Sequence, residues 1–151
     1  MIYVGIDPGK KGGIGYISPD GTFAAPYSGE NLRNICYMIN TSKSPAICFV
    51  EKVHSMPKQG VASTFSFGVG YGYILGVLEA YRIPYQEIPP QSWKREYSLL
   101  NADKAASVLM CKKLFPTVSL LPTEKCRKES DGMAEALLIA EYCRRRYGGV
   151  K

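Results

Sequence analysis

Apolar residues recur along the chain with two periods, one typical of strands and the other of helices. The continuous apolar run over 2–7 predicts a buried strand, and 12–26 predicts two short strands around the turn sequence SPDG. Apolar side chains at helical spacing predict a helix over 30–40, and a second continuous run predicts a strand over 45–51. The chain therefore begins with a meander of three strands, followed by a helix and a fourth strand.

The second half of the chain is interpreted from the same periodicity and from its turn-forming residues. The expected elements are a loop (52–60), a helix (61–81), a short strand within 81–90, a helix (101–115) opened by Asn101, a loop (116–130) and a last helix (131–147). This order predicts the α/β class, with one mixed five-stranded sheet, an antiparallel meander plus parallel strands, flanked by helices. We expect a single domain over 1–151, because no second block of composition occurs.

The composition favours an intracellular protein with a polyanionic partner. The sequence has 151 residues, 46% of them hydrophobic, which is enough for a core. No apolar run approaches the roughly 18 to 20 residues of a membrane span, so we expect a cytoplasmic protein. The five cysteines are an odd number without a CxxC pair, which argues against a disulfide framework and a zinc site. The net charge of +6 suits nucleic acid without requiring it.

Acidic residues stand at positions where the neighbouring sequence is apolar. Asp7 and Glu51 end the two most apolar strands, and sites in α/β proteins are usually built at strand ends. Asp131 and Glu135 are four residues apart, which puts them on one face of the last helix. Each has an ordinary alternative, as a turn residue, a helix-dipole acid or a surface glutamate. Together, they predict a cluster from three segments of the chain.

Such a cluster would need a partner, because burying an unpaired carboxylate costs several kcal/mol. Hard oxygen ligands favour Mg²⁺, with Mn²⁺ as a substitute. Two ions held by carboxylates are the usual apparatus for in-line attack of water on a phosphodiester. We expect Gly9, Gly12 and Gly13, beside Asp7, to let a phosphate backbone or a turn come close.

Four segments together resemble one family. YVGIDPGKKGGIGY, FVEKVHSMPKQ, IPPQSWK and DGMAEALLIAEY are similar, in that order, to motifs of the RuvC-type Holliday junction resolvases, particularly the compact phage-type members, which have the ribonuclease H-like fold. The resemblance covers nearly the whole chain. It implies a homodimer in a bacterial or phage-infected cell that binds a four-way DNA junction and uses divalent metal, two ions per active site, to nick two strands symmetrically.

The resemblance also implies roles for individual residues. Asp7, Glu51 and Glu135 match catalytic, metal-binding acids of the family, and Asp131 would be the fourth. The cellular enzymes usually space the last two acids by three residues and end on aspartate, whereas this chain spaces them by four and ends on glutamate. Which of the two is the principal ligand therefore stays open.

Lys94 in QSWK and Lys104 in NADK resemble the family's two lysines near the scissile phosphate, where they would stabilise negative charge or hold the backbone. An ordinary solvated lysine is the alternative for each.

Contacts with DNA are expected from basic and aromatic side chains. The residues are Lys10, Lys11, His54, Lys58, Phe65, Lys94, Arg95, Lys125, Arg127 and Lys128. His54 stands where the family often has an aromatic residue that probes the junction centre, and Phe65 or Phe67 could replace it. A general-base role for His54 is an alternative. The C-terminal CRRRYGGVK would contact phosphate or only add solubility.

Glycines in the predicted helix over 61–81 form a stripe. Gly68, Gly72 and Gly76 recur at intervals of four, which would let another helix come close. By resemblance, this helix belongs to the dimer interface; close packing on the protein's own sheet is the alternative.

Two other functions stay open at this stage. One is a nucleotide-phosphate-binding protein of the actin and sugar-kinase-like group, whose members also follow an early aspartate with a glycine-rich hairpin. The other is a junction-binding protein without catalysis.

Overall fold

The computed structural model describes residues 1–149, and its elements alternate as the pattern predicts. In chain order they are β1 (Ile2–Asp7), β2 (Gly13–Ser18), β3 (Gly21–Pro26), α1 (Gly29–Ser42), β4 (Ala46–Glu51), α2 (Val61–Ala80), β5 (Tyr85–Ile88), α3 (Pro90–Glu96), α4 (Lys104–Leu114) and α5 (Asp131–Tyr147).

The strands form one mixed sheet in the order β3-β2-β1-β4-β5. β1, β2 and β3 pair antiparallel, as a meander, while β4 is parallel to β1 and β5 is parallel to β4. The predicted α/β class and mixed five-stranded sheet are therefore confirmed.

Side-chain alternation along β1 divides the interior into two cores, one on each face of the sheet. Ile2, Val4 and Ile6 pack with α1 and α2, whereas the opposite side of the sheet packs against α5, α4 and α3. Gly5 contacts α5, and Asp7, two residues further along the strand, lies on the same face of the sheet as Gly5. The side chain of Asp7 therefore points toward α5.

Glycines let α5 lie directly on the backbone of β1 and β2. A Cβ atom on Gly5 would overlap the carbonyl oxygen of Ala136, and a Cβ on Gly13 would lie 2.5 Å from the carbonyl oxygen of Gly132. A Cβ on Gly12 would strike the backbone of its own turn, at Asp7. A turn does come close at Gly12, as expected, but the neighbour of Gly13 is the protein's own last helix.

Two details between β5 and α4 differ from the prediction. The sequence analysis missed α3, because seven residues are too few for apolar periodicity; its sequence signal is Pro90 in the first turn. The helix predicted from Asn101 begins at Lys104 instead. Asn101 has a left-handed φ of 60°, and the side chain of Asp103 caps the helix by accepting a hydrogen bond from the Ala106 N–H.

Helix α2 overturns one sequence expectation and disfavours one alternative. It has 20 residues with a mean hydropathy of 1.4, so by length and composition it could cross a membrane, although one such helix is weak evidence. The expectation that no apolar run approaches this length was wrong, and a cytoplasmic location stays a prediction. A Cβ on Gly68, Gly72 or Gly76 would meet nothing within 4 Å. The glycine stripe therefore does not pack on the protein's own sheet.

Candidate active site

The first two acids meet because β1 and β4 are parallel neighbours. Ile6 of β1 lies opposite Val50 of β4, so Asp7 and Glu51 follow at the same level of adjacent strands. Both strands end here, so the carboxylates stand at the carboxyl edge of the parallel part of the sheet.

The other two acids come from the first two turns of α5. Ser130 caps this helix by accepting a hydrogen bond from the Met133 N–H at 3.1 Å. Gly132 packs against the backbone of Lys11 and Gly12, where any Cβ would overlap it. This contact brings Asp131 and Glu135 beside the end of β1, so side chains from three elements form the acidic cluster, defined as Asp7, Glu51, Asp131 and Glu135.

The carboxylates are close enough to perturb one another. Burial raises the pKa of Asp7 well above its ordinary value of 3.8, and repulsion from Glu51, Glu135 and Asp131 raises this pKa further. Lys94 opposes the rise. Removal of water and accumulation of like charge thus act together on Asp7, which is typical of a functional site.

Two side chains from neighbouring helices donate hydrogen bonds into the acidic cluster. The indole Nε1–H of Trp93, on α3, donates to Oε2 of Glu51 at 2.7 Å. The hydroxyl of Ser107, on α4, donates to Oε1 of Glu135 at 3.1 Å.

The same donors partly offset the cost of burying these glutamates. Burial raises the pKa of Glu51, and the Trp93 hydrogen bond opposes this change. Burial likewise raises the pKa of Glu135, while Lys94 and the Ser107 hydrogen bond lower it.

The structure brings both lysines of interest to this edge. Lys104, the first residue of α4, lies 3.3 Å from Oδ2 of Asp131, and the hydrogen bond to Asp131 raises the pKa of Lys104. The ammonium group of Lys94 lies 5.4 Å from the centroid of the Trp93 ring. Two cations thus stand beside four carboxylates.

The donor set of the acidic cluster fits a hard divalent cation. Within residues 1–149, no three His, Cys, Asp or Glu side chains are close enough to hold an ion as they stand, so binding would require these side chains to move. Among the hydrogen bonds of the described residues, none reaches the Asp7 carboxylate, whereas Glu51 and Glu135 each accept one. Mutually repelling carboxylates with oxygens still free are suitable ligands for Mg²⁺ or Mn²⁺.

Most of the expected DNA contacts are exposed, and their role stays a prediction. Lys94 is half-buried. The exposed residues are Lys10, Lys11, His54, Lys58, Phe65, Arg95, Lys125, Arg127 and Lys128. Phe67, which with Phe65 is an alternative to His54, is half-buried, and its ring would lie 3.4 Å from a Cβ on Gly9.

The C-terminal arginines are less available to phosphate than the sequence indicated. Arg144 and Arg145 both bind the buried carboxylate of Glu141, and Arg145 also binds Glu96 on α3 at 3.1 Å. Two of the three consecutive arginines therefore serve the fold. Residues 150 and 151 of this segment lie outside the described residues.

Sequence reasoning missed Trp93 and Ser107. Trp93 is the sole tryptophan of the chain and lies in the QSWK motif, in which the sequence analysis assigned a role only to Lys94. A buried Trp needs an acceptor for its N–H, and this requirement was the available signal. Ser107 carries no comparable signal in the sequence.

Comparisons with solved structures bear on the fold. The chain is similar to the RuvC structure from Thermus thermophilus, with 18% identity, a TM-score of 0.61 and coverage of 98% of this chain and 97% of that one. For T. thermophilus RuvC in complex with a Holliday junction substrate, identity is 18%, the TM-score is 0.63 and coverage is 98% and 96%. Neither protein-family models nor curated proteins gave a match. Along nearly its whole length, the chain has the RuvC fold that its motifs led us to expect.

Proposed function

We propose that the protein is a structure-selective endodeoxyribonuclease that resolves Holliday junctions, and cuts other branched DNA, by metal-dependent symmetric hydrolysis of phosphodiesters. The observation that carries this proposal is the acidic cluster, assembled from β1, β4 and α5 beside Lys94 and Lys104. The same fold in T. thermophilus RuvC, a protein solved with a Holliday junction substrate, supports DNA as the substrate.

Each group of the site has a role in this reaction. Asp7, Glu51, Asp131 and Glu135 would hold Mg²⁺ or Mn²⁺, as a pair of ions. Bound there, the cations would activate water and neutralise charge on the phosphodiester. The ammonium groups of Lys94 and Lys104 would hold the phosphate and stabilise the negative charge that develops on it.

A homodimer would supply the two active sites that paired cuts require. The apolar α2 face, defined as Val61, Phe65, Val69 and Tyr73 with the glycine stripe, is open to solvent; Val61 is 88% exposed and Phe65 is 74% exposed. An exposed apolar surface of this kind favours a protein partner. In a two-fold symmetric dimer, the apolar α2 face of one copy would pack against the same face of the other.

The two rival functions have less support. Proteins of the actin and sugar-kinase-like group generally enclose a nucleotide between two lobes, whereas residues 1–149 form one sheet. A junction-binding protein without catalysis would have no need of four carboxylates at one edge.

The direct experiment is cleavage of labelled four-way, flap and linear duplex DNA, each with Mg²⁺ and with a chelator. We expect paired cuts in the four-way junction, weaker cutting of the flap and none in the duplex, with all cutting lost in the chelator. Equal cutting of duplex and junction would refute structure selectivity, and cutting in the chelator would refute metal dependence.

A further inference from the structure

We propose that Trp93 and Ser107 are positioning residues for the metal site: each donates one hydrogen bond to a glutamate of the acidic cluster and leaves that glutamate's other oxygen for the cation. This inference rests on the proposed function, because it concerns the ligands of the same site. It adds two residues that touch neither DNA nor the reacting phosphate.

Trp93 is suited to this task by its chemistry and its burial. The side chain is completely buried, and an indole N–H can donate but never accept. At 2.7 Å from Oε2 of Glu51, it fixes the orientation of that carboxylate. If Trp93 served only to fill space in the core, an apolar ring of this size would be enough. The indole N–H directed at Glu51 therefore indicates a second role.

Contacts at the C-terminal end of α3 fix the helix that carries Trp93. The hydroxyl of Tyr97, at the end of this helix, donates to the carbonyl of Leu138 on α5 at 3.1 Å. Glu96 binds Arg145, also on α5. The helix that carries Trp93 is therefore attached to the helix that carries Asp131 and Glu135, which holds α3 beside the acidic cluster.

Ser107 makes the matching contact on the other side of the acidic cluster. It is 3% exposed, and its hydroxyl donates to Oε1 of Glu135 at 3.1 Å. Among the hydrogen bonds within residues 1–149, none reaches Oε1 of Glu51 or Oε2 of Glu135, so each glutamate keeps one oxygen without a donor. Second-layer hydrogen bonds of this kind orient metal ligands and typically change metal affinity by about 10- to 100-fold.

The test is calorimetric titration of the protein with Mn²⁺ in the absence of DNA. We expect Trp93→Phe, which keeps an aromatic ring, and Ser107→Ala, which removes one oxygen, each to raise the Mn²⁺ dissociation constant by about 10- to 100-fold. Ser42→Ala is the matched control, because it also removes one hydroxyl oxygen, here from a hydrogen bond to the Ile39 carbonyl at the end of α1, and it touches no glutamate of the acidic cluster. Its affinity should equal that of the wild type.

Thermal unfolding followed by circular dichroism separates positioning from loss of the fold. If Trp93→Phe fails to fold, Ser107→Ala decides the question alone. Wild-type Mn²⁺ affinity in the folded donor variants would overturn the inference, and so would an equal loss in Ser42→Ala. Absence of Mn²⁺ binding by the wild type would overturn both this inference and the proposed function. If the donor variants lose affinity but the wild type cuts no junction, the proposed function alone fails.

Discussion

The four carboxylates of the acidic cluster differ in how their charge is compensated. Glu51 and Glu135 each accept a hydrogen bond that offsets part of the cost of burial, and Asp131 has Lys104 as its partner. At Asp7, burial and three neighbouring carboxylates raise the pKa, and the charge of Lys94 opposes the rise. Ionisation of Asp7 is therefore unfavourable in the folded, metal-free protein.

Replacing Asp7 with Asn should stabilise the metal-free protein near neutral pH. The raised pKa of Asp7 means that the unfolded chain ionises near 3.8 while the folded chain keeps its proton to higher pH, so ionisation opposes folding as the pH rises. The advantage of Asp7→Asn should therefore shrink as the pH falls toward 3.8. Urea unfolding in chelator, across this pH range, measures the difference.

Asp20→Asn is the control, because Asp20 is an exposed acid in the hairpin turn between β2 and β3. It should change the free energy of unfolding little at any pH. If the difference in free energy of unfolding between Asp7→Asn and the wild type did not change with pH, the raised pKa of Asp7 would be contradicted.

The acidic residues of this site could be predicted from sequence, but their donors could not. An acid that ends an apolar run, like Asp7 or Glu51, conflicts with its surroundings, and that conflict is visible in the sequence. The orientation of Trp93 and Ser107 depends on how α3 and α4 pack against α5, which no local pattern encodes.

Among the secondary-structure elements, α5 has the largest influence on the site. Its close approach to β1 and β2 depends on glycines whose missing side chains leave room for the helix backbone. The sequence analysis interpreted the glycines beside Asp7 as space for a turn or a phosphate. A sequence does not record which neighbour a glycine admits, so the docking of α5 became evident only in three dimensions.

Gly5→Ala should therefore destabilise the fold strongly. The added Cβ would overlap backbone atoms of Ala136 and Ala140, which cannot rotate away, and overpacking of this kind costs about 1 to 3 kcal/mol or more. Chemical denaturation measures the loss. Gly21→Ala is the matched control in a strand, because its Cβ would meet nothing within 4 Å. Equal stability of the two variants would refute close docking of α5.

For the protein taken as one unit, the order of strands and helices was predictable because long apolar segments carry strong periodic signals. The short helix α3 and the start of α4 were not, since a proline turn and the Asp103 cap decide them locally. The most exposed apolar surface, on α2, remains without a partner in the single chain. This surface leads to a prediction about assembly.

Val69→Glu should weaken the proposed homodimer. Val69 is 59% exposed on the apolar α2 face, and two-fold symmetry would bring charge from both copies into one interface. Sedimentation should show a shift from dimer toward monomer. Leu109→Glu is the control, because Leu109 is 69% exposed on α4, on the opposite side of the sheet from α2. An unchanged mass for Val69→Glu would contradict an interface on α2.

The most direct measurement compares junction binding and junction cleavage by Asp7→Asn in Mg²⁺, with Asp20→Asn alongside. We expect Asp7→Asn to bind a four-way junction as the wild type does, and to cut it at least about 100-fold more slowly, because loss of the proposed metal ligand would remove several kcal/mol of transition-state stabilisation. Asp20→Asn should cut normally. Cleavage by Asp7→Asn at the wild-type rate would contradict a metal-dependent nuclease built on the acidic cluster.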